Sequence, residues 1–177
     1  MHLERIKYFI SALLLLLVVS GPLYGQEIRT RYATITYTDM ESLRKFNNKL
    51  YMGRLKYLLN KKSETIEDEV KSKIDLIVEK VETVLDMYPS PLKFNIVIHP
   101  SKQGIQTDYQ RLYKRTVNYI AFFSPGTNTV FYSADNAKLR VVAHEIGHVV
   151  AEKYFAISPP PKIHEVLAQY AETHVSD

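Results

Sequence analysis

The run SPPPK, residues 158–162, cannot continue a helix. Proline lacks an amide N–H, and its ring collides with the preceding turn. The apolar stretch VVAHEIGHVVAEKYF, residues 141–155, therefore ends before this run, and IHEVLAQYAETH, residues 163–174, begins a new helix after it. A turn at the prolines allows the second helix to come back towards the first, so a pair of helices is expected here. Asp135 or Asn136 stands where it can cap the first helix of the pair.

Upstream, the apolar periodicity alternates between two kinds. YATITYT, residues 32–38, is rich in β-branched and aromatic residues and reads as a strand. Residues 41–60 read as a helix with Leu43, Phe46, Leu50, Leu55 and Leu58 near one face and Gly53 as an interruption. Residues 63–88 give the clearest helix. Ile66, Val70, Ile74, Ile77, Val81, Val84 and Tyr88 form one stripe, Ser63 or Thr65 caps the start, and Pro89 and Pro91 stop it. LKFNIVIH, residues 92–99, alternates Leu92, Phe94, Ile96 and Ile98 on one face and reads as a strand, followed by a short helix around DYQRLYKR. VNYIAFF and NTVFYSA around SPGT read as a hairpin. These elements predict an α+β fold: a small mixed sheet of about four strands with an edge hairpin, a long helix covering the sheet, and the C-terminal helical pair.

Residues 1–25 are read apart from this domain. Arg5 and Lys7 precede the apolar run FISALLLLLVVS, and the turn-prone GPLYGQ follows. That order is a secretory signal peptide, with cleavage placed after Gly25 and a single domain over residues 26–177. The expected location is periplasmic or extracellular; the alternative is an uncleaved N-terminal anchor. There is no cysteine, which excludes disulfides and thiolate metal sites. The net charge of +4 is too small to argue for nucleic acid. Basic residues concentrate in residues 41–62, read either as a solvated helix face or as a contact with an anionic membrane surface.

Within HEIGH, His144 and His148 are four apart, so both imidazoles lie on one helix face about 6 Å apart along the axis and can reach one ion. Glu145 sits about 100° round the helix, placed to reach a water on that ion rather than the ion itself. Gly147 leaves room close to the site. Val141, Val142, Ile146, Val149 and Val150 are apolar around the polar triple, and polar groups in such a setting need partners. A catalytic zinc takes three protein ligands and a water. The third is open among Glu152, His164, Glu165, Glu172 and His174, with His164 and Glu165 both at the start of the second helix.

HEIGH, a proline-containing turn and IHEVLAQYAE together resemble gluzincin-type metallopeptidases, in particular the bacterial peptidase MA-like domains. In those, a helix reading roughly xEGLAxYxE follows the HExxH helix, and Glu165, Leu167, Ala168, Tyr170 and Glu172 match it position by position; Val166 stands where the family usually has Gly. The resemblance implies zinc held by His144, His148 and Glu165, with Glu145 as general base; His164 is the rival third ligand, and a three-histidine site would instead resemble other zinc hydrolases. It also implies that the hairpin, with NTVFYSA, supplies the edge strand along which an extended peptide binds. Tyr170 and Tyr154 are candidates for an oxyanion donor, and His99 and His174 are read as ordinary residues. The expected function is peptide hydrolysis; the alternative is a non-catalytic zinc module for binding or assembly.

Overall fold

The computed structural model describes residues 25–59 and 63–177. The leader expectation rests on residues outside this range, as does the end of the basic segment at residues 60–62. Among the described residues, no helix is long and apolar enough to cross a membrane.

The chain forms a five-stranded mixed sheet in the order β1-β2-β3-β5-β4, with helices on both faces. The strands are β1 (Gln26–Arg29), β2 (Ala33–Tyr37), β3 (Phe94–His99), β4 (Ala121–Ser124) and β5 (Thr129–Ser133). β2, β3 and β5 run parallel through the centre, and β1 and β4 pair antiparallel at the edges. Register places Ile35 beside Ile96 and Ile96 beside Val130, and likewise Tyr37, Ile98 and Tyr132. Strand side chains alternate between faces, so these rows form one continuous apolar floor, and all are buried.

The small mixed sheet of the expected α+β fold is present, and one reading of it is corrected here. Its strands number five, within the approximate count expected, because QEIR pairs with Thr34–Tyr37 of β2 although its side chains stay largely exposed. NTVFYSA is interior rather than an edge: β5 is flanked by β3 and β4, and all five of its residues are buried. The open edge beside the hairpin is β4.

The principal helices are α1 (Met40–Lys49), α2 (Ile66–Leu85), α3 (Lys102–Tyr113), α4 (Leu139–Tyr154) and α5 (Pro161–His174). Asp39 caps α1 by accepting from the Ser42 N–H. The helix expected over residues 41–60 stops at Lys49. Gly53, at φ +54°, redirects the backbone into a separate 3-10 segment, Gly53–Leu58. Leu55 remains in the core, but Leu58 is turned out to solvent. Arg44, Lys49, Arg54 and Lys56 are exposed on this segment beside Tyr51 and Tyr57, and Lys45 pairs with Asp135.

Thr65 caps α2, and Asp86 in the left-handed conformation ends it before either proline is reached. α2 buries Val70, Ile74, Ile77, Val78 and Val81 chiefly against α4, α1 and α5, and it reaches the sheet at β1. The long helix thus covers the helical pair more than the sheet. α3 lies on the opposite face over Phe122 and Phe131 and starts earlier than DYQRLYKR suggests. Its first turn passes close over His99: a Cβ at Gly104 would sit 2.5 Å from the His99 ring, so only glycine fits.

Candidate metal centre

α4 is set on the sheet from below. The buried Tyr132 hydroxyl of β5 donates to the Val142 carbonyl at 2.9 Å, two residues before His144. Neither Asp135 nor Asn136 caps this helix. Asp135 pairs with Lys45, Asn136 donates to the Ser133 hydroxyl, and both lie in a 3-10 turn ahead of the extended Lys138 that begins α4.

α5 returns along α4 after the proline turn, with Pro161 as its first residue. Ala168 and Ala171 form its buried face. Gly147 is where the two helices meet: a Cβ there would lie 2.9 Å from the Ala168 Cα and 3.2 Å from the Ala171 Cβ. The space that glycine leaves is therefore filled by the backbone of α5. This close approach delivers Glu165 to the two imidazoles.

The Nε2 atoms of His144 and His148 each lie 3.7 Å from a different oxygen of Glu165, and the three prospective ligand atoms fall within 4.8 Å of one another. At 3.7 Å these are not hydrogen bonds. Two ligands each about 2.1 Å from a tetrahedral ion stand roughly 3.4 Å apart. The spacing and the donor set, two imidazoles and a carboxylate, thus fit a zinc ion with little rearrangement. Burial, followed by the neighbouring His144, lowers the His148 pKa to about 4. His148 is neutral at pH 7, the state in which imidazole binds metal.

Glu172, weighed from the sequence only as a candidate third ligand, instead contacts a ligand ring. It lies 3.0 Å from the His144 Nδ1, so that nitrogen carries the proton and the Nε2 lone pair faces Glu165. Its signal is the seven-residue step from Glu165, two helical turns on the same face of α5.

His164 is occupied elsewhere. Its Nε2 lies 3.0 Å from Glu152, and the Ser158 hydroxyl donates to the same carboxylate at 2.7 Å. This trio ties the proline turn to α4 and leaves Glu165 as the side chain that converges with both rings. His99 is bonded to Asp108 at 2.7 Å on the α3 face, and His174 stacks on Tyr170. Both are away from the triad.

Above the triad opens a pocket of about 720 Å³ lined by His144, Glu145, His148, His164 and Glu165, by β4 residues Ala121, Phe122 and Phe123, and by Tyr109, Tyr113 and Tyr119. Tyr154 and Tyr170, the expected oxyanion candidates, do not line it. Tyr170 lies two residues from Ala168, about 200° round α5 and hence on the outer face. Tyr154 lies six residues beyond His148, about 9 Å further along the α4 axis, and meets Phe155 edge-to-face.

Glu145 is buried, and burial raises its pKa to about 8, with Glu165 and Glu172 adding to the rise and the Phe123 backbone N–H opposing it. The Phe123 contact follows from strand register. The Ser133 N–H donates to the Ile120 carbonyl, and bonded pairs alternate in an antiparallel ladder. Phe122 therefore bonds to β5, while Ala121 and Phe123 direct their backbone groups to the open edge.

The arrangement can hold a cation, keep a carboxyl beside it and present a strand edge to a ligand. No family model, no curated protein and no solved structure matches the chain, so a functional assignment rests on this geometry and on the motif.

Proposed function

We propose that the chain is a zinc-dependent peptidase of the gluzincin type. The observation that carries this reading is the convergence of His144, His148 and Glu165 at the foot of a pocket that Glu145 also lines. Zinc bound there supplies a Lewis acid that polarises a carbonyl and lowers the pKa of a water. Cobalt or manganese suits the same donors in vitro.

Glu145 accepts a proton from the attacking water and returns it to the leaving amine. Burial keeps this carboxyl able to hold that proton, and beside a bound cation its pKa would fall towards the working range. Glu172 fixes the ring of His144. A peptide added along β4 hydrogen-bonds to the backbone of Ala121 and to the Phe123 carbonyl, which brings its main chain past the triad. A structural zinc closes on four protein side chains. The pocket opening onto three favours catalysis over a non-catalytic module. Residues 1–25 support export as part of the same proposal.

The test is zinc content and peptide hydrolysis of the purified protein beside three variants. Glu165→Ala loses zinc and His164→Ala keeps it. Glu145→Gln keeps zinc and loses about 100–10,000-fold in rate. Zinc loss confined to His164→Ala, or full hydrolysis by Glu145→Gln, overturns the assignment.

A further inference from the structure

We infer that Tyr109, Tyr113 and Tyr119, with Phe122, form a subsite for an aromatic side chain of the peptide, next to the bond that is cut. This rests on the peptidase reading and adds the substrate class to it.

The pocket has two unlike halves. Every titratable acid and imidazole that lines it stands at the triad end; the other end is a wall of rings. Tyr109 on α3 is the centre of that wall. Its ring lies 4.7 Å from Tyr113, 5.2 Å from Tyr119 at 87°, and 5.1 Å from Phe122 at 81°. Edge-to-face pairs at these separations are the arrangement aromatic quadrupoles favour.

The wall is anchored from behind. Phe122 stacks on Phe131 at 4.5 Å beneath α3, and the Tyr113 hydroxyl donates to Ser124 at 2.9 Å, tying the last turn of α3 to the end of β4. Tyr119 closes the cluster from the loop and keeps 48% of its surface exposed. A further ring entering the pocket meets a rigid, preformed face.

Strand geometry says what reaches it. A peptide laid along β4 projects successive side chains to opposite sides of the sheet. Those on one side face α4 and the triad; those on the other face α3 and the tyrosines. A charged side chain on the tyrosine side would lose water without gaining a partner, and a small one would leave the rings uncovered. An aromatic side chain gains both contact area and ring-edge attraction.

The experiment uses the full chain carrying Glu145→Gln, with and without added zinc. Blocked polyalanine hexapeptides carry one Phe, Lys or Glu walked through each position, and dissociation constants are read by calorimetry. The expected result is one position at which Phe binds about tenfold tighter than Ala, with Lys and Glu no tighter than Ala. Adding Tyr119→Ala reduces that preference to under about threefold, whereas Tyr119→Phe retains it. In the protein with all its tyrosines, nuclear Overhauser contacts run from the peptide Phe ring to Tyr109 or Tyr119, a readout that needs no wall substitution.

Absence of a Phe preference at every position, or of those contacts at saturating peptide, overturns the subsite. Zinc-dependent hydrolysis without a Phe preference overturns the subsite alone. A Phe preference in a protein that takes up no zinc and cleaves nothing supports the subsite and overturns the peptidase reading.

Discussion

Gly147→Ala tests how the centre is built, because it changes no ligand and no charge. The added Cβ meets the Ala168 Cα at 2.9 Å, the Ala171 Cβ at 3.2 Å and the Ala168 Cβ at 3.6 Å. Ordinary carbon contacts lie at about 3.5–4.0 Å, so the two helices must part by roughly 0.7 Å. The nearest atom is backbone and cannot rotate away. Overpacking of this kind costs about 1–3 kcal/mol, and replacing glycine within a helix returns about 1 kcal/mol. The net destabilisation is about 0–2 kcal/mol, a few degrees in the melting temperature of a domain this size. The effect on metal is larger. Glu165 lies three residues before Ala168 on the helix that is pushed, and metal–ligand distances tolerate only about 0.2 Å. We expect zinc affinity to fall about 10–100-fold, measured by competition with a chromophoric chelator, beside thermal melts in excess chelator. Gly126→Ala is the control, since a Cβ there meets nothing within 4 Å and no change is expected. Unchanged zinc affinity in Gly147→Ala would refute the argument that the close helix contact places Glu165.

Three further predictions concern the supports of the site and its protons. Glu172→Gln leaves the His144 ring without its carboxylate partner, and zinc affinity by the same competition assay drops about 10–100-fold with little change in the metal-free melt. Tyr132→Phe removes the donor to the Val142 carbonyl, and urea unfolding reads a loss of about 0.5–1.5 kcal/mol. In chelator, stability depends on pH through Glu145 and His148. Glu145 has a folded pKa raised from 4.5 to about 8, so its contribution is lost as pH rises through that window. His148 is lowered from 6.5 to about 4, so its contribution is lost as pH falls from 6.5 to 4. The two slopes cancel between pH 4.5 and 6.5, and above that range stability falls by about 1.4 kcal/mol per pH unit up to pH 8. Urea midpoints across pH 5–8 measure it, and zinc added at pH 7.5 should remove the fall.

The sequence is most legible where one short period repeats. The stripe from Val70 to Val81 and the alternation from Leu92 to Ile98 each needed only their own residues to be read. The histidine pair is legible for the same reason, since helical pitch alone puts His144 and His148 on one face. Elements that owe their form to distant partners are harder. QEIR has one apolar residue and becomes a strand only because β2 offers it a ladder. The start of α3 is disguised by Gly104, whose purpose is to clear His99. Strand order is likewise non-local, although Val130 and Phe131 side by side, apolar on both faces, are the mark of the interior position that β5 occupies. Within the site, the first turn of α5 was readable, but the division of labour among Glu152, His164, Glu165 and Glu172 depends on how far α5 slides along α4. That is set by Gly147 against Ala168. Tyr170 could have been excluded from α5 geometry alone.

The buried face of α5 consists of Ala168 and Ala171, joined just past its end by Val175, while Ile163, Val166 and Tyr170 look outward. Methyl groups cover little area, so solvent exclusion grips this helix lightly. A cation shared between Glu165 and the two imidazoles would act as a clasp on the final helical pair, adding its binding free energy to the docking of this helix. Under metal starvation, the first part of the domain to peel away should be the helix that completes the centre, so that scarcity of the ion disassembles the machinery before it unfolds the scaffold.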